Sequence, residues 1–151
     1  MKWVTRARPK IDRIACPWLI RRFIDPEAEF LFVAPERVGE VVAATGAVPF
    51  DVEGVELSHD GPLCSFDAFL AKYGLEDPAL AELARIIRGA DTDRLELAPQ
   101  AAGLLAISLG LSRNHPDDHA LLRHGFVMYD ALYTWSSQVR DERHSWNPQK
   151  A

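Results

Sequence analysis

An α+β fold, with a small N-terminal βαβαβ-like sheet half followed by a helical bundle half, is the architecture this sequence predicts. Two observations predict it. Up to about residue 58, short β-prone apolar runs alternate with helix-forming segments. From residue 65 onward the apolar residues recur at i, i+3 and i+4 in successive stripes. No linker or internal repeat divides the halves, so one domain over residues 1–151 is expected, with a tail fraying from about residue 140. A chain of 151 residues buries roughly 68–70% of its unfolded surface, enough for a core without disulfides or metal staples.

Each element follows from its residues. Trp3-Val4-Thr5 is a first strand of β-formers. A helix follows to about Ile24, with Asp12 as its N-cap or Pro17 in its first turn, and Asp25-Pro26 ends it. Glu29 to Val33 is a near-continuous apolar run, the pattern of a strand covered on both faces. Pro35-Glu36 opens a short helix that Gly46 stops, and a third strand lies within residues 48–58. Ser65 is the expected cap of a helix through Tyr73. Asp77-Pro78 opens another, striped by Leu80, Leu83, Ile86 and Ile87. Residues 101–111 are almost wholly apolar, which predicts the central helix of the bundle. A last helix runs from Asp117 to about Val139.

Composition narrows the function classes. The net charge of -5 conceals a basic lead: residues 1–22 hold seven Lys or Arg against Asp12 alone, a net of +6, so the remainder carries -11. An acidic body is a poor general partner for nucleic acid, whose binding rests on phosphate neutralisation. The basic lead suits either a small anion or pairing with the acidic remainder. No apolar run reaches the ~18 residues of a membrane span, and the charged first ten residues lack the pattern of a secretory signal. With only Cys16 and Cys64 as cysteines, a cytoplasmic protein with reduced thiols is expected. Phosphate-binding Gly loops, nucleophile elbows and dinucleotide fingerprints are absent from the sequence.

Three groups of residues carry chemistry. Cys16, with Arg13 and Arg21 within about a turn, reads as a thiol at a helix start whose pKa the dipole and the guanidinium groups would lower. It is the expected nucleophile and the more reactive of the two cysteines, against the alternative of a buried cysteine packed as a small hydrophobe. His59-Asp60-Gly61-Pro62-Leu63-Cys64-Ser65-Phe66-Asp67 gathers imidazole, thiol and carboxylate in one turn. These are metal-ligand types, although His-x4-Cys is not a paired zinc spacing and capping would also account for them. Asp91 ends an apolar helix, where the dipole disfavours a carboxylate. Asp130 sits among the core positions Met128, Leu132 and Trp135. A metal, an arginine or the N-terminus of the next helix would stabilise Asp91, whereas Asp130 would be protonated or paired with a cation such as Arg13, Arg21 or Arg88. His115, His119, His124 and His144 read as surface or capping residues.

The opening WVTRARPKIDRIACPWLIRRFIDPEAEFLFV, then ELSHDGPLCSFDAFL, LARIIRGAD and MYDALYTW, resemble the C-terminal domain of the bacterial chromate-resistance regulators, also found as stand-alone proteins. The resemblance covers nearly the whole chain. It implies a part in chromate resistance, a stress response, through perception or handling of chromate. In the two-part regulators an additional N-terminal domain precedes this one, so direct DNA binding is expected only with such a domain. The shared motifs contain Cys16, His59, Cys64, Asp67, Asp91 and Asp130.

The leading expectation is therefore a sensor or handling protein for an oxyanion such as chromate, or for a metal ion. Arg13, Arg21 and Arg22 would bind the oxyanion. His59, Cys64, Asp67, Asp91 and Asp130 would supply ligands for a divalent ion, with zinc, manganese or iron suited to imidazole and carboxylate. The rivals are a Cys16-dependent reductase or transferase, a metal-dependent enzyme, and an interaction domain that docks through its basic face. Homodimerisation stays open.

Overall fold

The computed structural model describes residues 1–149. Three parallel strands, β1 (Lys2–Arg6), β2 (Glu29–Val33) and β3 (Val48–Pro49), form a sheet in the order β2-β1-β3, with Trp3 facing Phe30 on one side and Val48 on the other. Trp3, Val4 and Thr5 are all buried in the central strand, because both faces of the sheet are covered. Trp3 enters the main core. Val4 packs with Val38 and Ala47 beneath α2 (Val38–Thr45) on the opposite face.

The main core is closed by α1 (Asp12–Leu19), which runs on into a π-helical turn (Ile20–Ile24), and by α3 (Ser65–Lys72), α4 (Pro78–Asp91), α5 (Ala101–Asn114) and α6 (Asp118–Thr134). The α+β division and the helical second half are as the sequence predicts. The α4 stripe, Leu80, Leu83, Ile86 and Ile87, is wholly buried. Helix α1 lies so close to α6 that a Cβ on Gly125 would meet Ile14 Cγ2 at 2.4 Å, so only glycine fits there without displacement. No helix among the described residues is long and apolar enough to cross a membrane.

Two local expectations, for α5 and α3, are corrected, and the expected third strand is present but short. Helix α5 is not central: it buries Ala101, Leu104, Ser108 and Ser112, while Ile107 and Leu109 are 54% and 46% exposed. Two of the four buried positions are serines, and Ala102, Gly103, Ala106 and Gly110 lie on the exposed side, so apolar composition misreports its depth. The third strand is only two residues long, ending where Pro49 removes a donor and Asp51 takes a positive φ of 51°. Helix α3 begins after Cys64, whose backbone N–H is bound by the Asp67 carboxylate at 3.0 Å, so Ser65 is the first helical residue and not the cap.

Candidate metal centre

Neighbouring parallel strands place their carboxyl ends side by side, and the loops leaving them are where open α/β sheets build sites. The turn after β1 leads to Asp12 at the start of α1. The turn after β3 carries Asp51, and the loop beyond it brings His59 back across both. Asp91, the last residue of α4, closes the group.

The His59 Nε2 lies 2.9 Å from Asp91 Oδ2, 3.3 Å from Asp51 Oδ1 and 3.5 Å from Asp12 Oδ2. Asp12, His59 and Asp91 each offer one ligand atom, all within 4.8 Å of one another. Burial grades across the site: the Asp12 side chain is 1% exposed, whereas the imidazole is 41% exposed and opens it to solvent.

Asp12 is held from two sides. Its carboxylate accepts the backbone N–H groups of Ser65 at 2.7 Å and Phe66 at 3.1 Å, the orphan donors at the start of α3, and the Cys16 thiol at 3.3 Å. Asp51 accepts the Ser65 hydroxyl at 2.7 Å on Oδ1 and faces Arg6 and Arg13 with Oδ2. Among the described residues no arginine pairs with Asp91. Ile11 and Asp51 both take positive φ, 42° and 51°, and for a β-branched isoleucine this is strained backbone of the kind that collects at functional sites.

The electrostatics follow from three carboxylates around one imidazole. A hydrogen bond to Asp12 and the charges of Asp12, Asp91 and Asp51 push His59 up to about 9, against the effect of desolvation. Burial, then the charges of Asp12 and Asp51, raise Asp91 to about 7, with His59 pulling the other way. Asp51 is raised by the same two causes, burial and the Asp12 charge. A divalent ion would relieve this repulsion more fully than one proton does.

Residues 3–136 match the family model for the ChrB C-terminal domain. The chain belongs to the ChrB C-terminal domain family. Protein ChrB of Cupriavidus metallidurans is 39% identical over 140 residues, which cover 92% of this chain and 42% of that protein. The chain thus spans less than half the length of this ChrB relative. No solved structure matches it. All four residues of the cluster lie inside the span matched to the ChrB domain.

Of the residues singled out in the ChrB-like motifs, the fold brings together His59 and Asp91. The other three expected ligands have different partners. Asp67 holds Arg88 through two hydrogen bonds, 2.8 and 3.0 Å long. Cys64 directs its thiol at Asp67. Asp130 pairs with Arg22 at 2.8 Å and accepts the Trp18 indole N–H at 2.7 Å, and its side chain is 46% exposed, not buried. Asp130 is paired with an arginine as one reading expects, but the partner is Arg22 and not Arg13, Arg21 or Arg88, which are engaged elsewhere.

Cys16 is the opposite of the activated thiol expected from its neighbours. It is fully buried, and burial followed by the Asp12 charge drives its pKa well up. The helix starts at Asp12, one turn earlier than a Pro17 first turn would require, so Cys16 falls at i+4 on the same face as a carboxylate. Burial also raises Cys64. The expected arginines are dispersed. Arg13 binds Asp51 and the carbonyls of Arg6 and Ala7, Arg21 donates to the Ala28 carbonyl, and Arg22 holds Asp130.

Asp12 and Asp51 are the site residues that sequence reasoning missed. Asp12 did leave a signal: it is the lone acid among seven basic residues in the lead, set between Ile11 and Ile14 where burial is expected. Asp51 left none, since its place depends on where β3 stops.

Proposed function

We propose that this ChrB-family domain is a divalent-cation-binding module that serves chromate resistance inside the cell by handling a metal ion. The observation that carries the reading is the convergence of Asp12, Asp91 and Asp51 on a single imidazole, with no arginine paired to the first two among the described residues. One imidazole with carboxylates is a donor set for zinc, manganese or iron. Asp12, His59 and Asp91 would hold the ion, and Asp51, already committed to Arg6, Arg13 and Ser65, would stand beside it and hold the cluster in place.

The surroundings favour a cation over an oxyanion. A cleft of about 820 Å³ opens onto His59 and Asp51, and its rim carries Glu53, Glu56 and Asp60 against Arg6. Such a rim concentrates cations and repels a dianion. Two free buried thiols accord with a reducing compartment.

Zinc titration calorimetry on metal-free protein tests the proposal. One equivalent should bind, and His59→Ala and Asp91→Asn should each weaken binding by about tenfold or more, an effect of the size seen when a ligand or its support is lost. Absence of stoichiometric binding, or unchanged affinity in both variants, would refute it.

A further inference from the structure

A second cavity, of about 480 Å³, lies between β2 and α6. Arg21 reaches it from the π-helical turn that follows α1. Its guanidinium is stacked against Phe30 at 5.2 Å and Phe126 at 5.9 Å. One terminal nitrogen, Nη2, donates to the Ala28 carbonyl at 2.6 Å, while Nε is buried without an acceptor. Among the described residues no carboxylate pairs with Arg21, in contrast to Arg13 and Arg22. From α6, Arg123 and His119 line the same cavity, and neither is engaged in a hydrogen bond or ion pair among the described residues. Glu29 is the one acid at the wall.

From this geometry we infer that the cavity binds a small organic anion, a carboxylate or sulfonate on an aromatic or aliphatic body. A half-buried guanidinium held in place by aromatic rings and lacking a counter-charge is a pre-formed anion receptor. Arg123 and His119 add donors on the facing wall. The remaining walls, Phe30, Leu31, Leu122 and Phe126, are apolar. The volume is in the ~300–1,000 Å³ range of small-molecule pockets, so a bare tetrahedral oxyanion would leave those walls wet. This site is separate from the acidic cluster, and the inference does not depend on a metal there.

Amide NMR titrations of the full chain with naphthalenesulfonate, neutral naphthalenemethanol and sodium sulfate test it. The sulfonate should move the amides of Phe30, Leu31, Leu122 and Phe126, and the alcohol should bind about tenfold more weakly, the worth of a charge-assisted hydrogen bond. Arg21→Met should weaken sulfonate binding by about tenfold and the exposed Arg123→Gln by about threefold. Arg123→Gln and His119→Gln lie on the surface, so their spectra test the site even if Arg21→Met fails to fold. Equal binding of alcohol and sulfonate, saturation of the same amides by sulfate alone, or undiminished sulfonate binding in Arg123→Gln and His119→Gln would overturn the inference.

Discussion

Asp12→Ala should destabilise the metal-free protein by about 3 kcal/mol, because it strands two buried backbone donors at once. The Ser65 and Phe66 N–H groups start α3 and have the Asp12 carboxylate as their acceptor. With both residues fully buried, water does not replace it. Loss of the negative charge relieves Asp51 and Asp91, which offsets part of the cost. Asp12→Asn should cost less, since its amide oxygen still accepts from one of the two donors. Urea unfolding in the presence of a chelator measures both. A change within about 0.5 kcal/mol for the alanine variant, the size of an ordinary surface substitution, would mean that Asp12 does not hold α3 against α1.

The second large effect is a change in how stability depends on pH when metal is present. Asp91, raised to about 7, binds its proton more tightly in the native state than an ordinary carboxylate with a pKa of about 4 does in the unfolded chain. Its contribution to stability is therefore lost as pH rises from about 4 through 7. His59, raised to about 9, acts with the same sign in a later window: its contribution is complete below the unfolded value of about 6.5 and is lost as pH rises through 9. Metal-free protein should thus lose stability at these groups throughout that range. Zinc needs both ligands deprotonated, so the stabilisation it adds should grow with pH. At a hundredfold excess over the dissociation constant the gain is about 2.7 kcal/mol, or roughly 5–10 °C in Tm for a chain of this size. The Tm difference between zinc and chelator should widen from about pH 5.5 to about pH 8. A difference that is constant or narrows would contradict ligation by His59 and Asp91.

Much of the fold was legible because its signals are local. The Glu29–Val33 run is a strand with those bounds, and the stripe on α4 is buried as its period requires. The depth of α5 was not legible, since an apolar segment rich in Ala and Gly does not say which side faces inward. The site was half legible. Asp91 stood out as a carboxylate at the wrong end of a helix dipole, and His59 as an imidazole in a loop rich in ligand types. Their partner Asp12 looked like a cap for its own helix. It caps α3 instead, across 53 residues of sequence. The chemistry of Cys16 was not legible, because its arginine neighbours in sequence turn away to Asp51 and the Ala28 carbonyl while burial and Asp12, four residues earlier on the same helix face, surround the thiol. Asp130 was visible as a carboxylate in need of a partner and Asp67 as a ligand-type or capping residue, but only the packing of α3 on α4 and of α1 on α6 assigns them Arg22 and Arg88 respectively.

Diffraction from zinc-soaked crystals at the zinc absorption edge tests the central claim most directly. One anomalous peak is expected at about 2.0–2.2 Å from His59 Nε2 and from carboxylate oxygens of Asp12 and Asp91, the usual zinc-ligand distances. A cluster without a peak, with His59 still within ion-pair distance of Asp91 and zinc only at surface histidines, would contradict it.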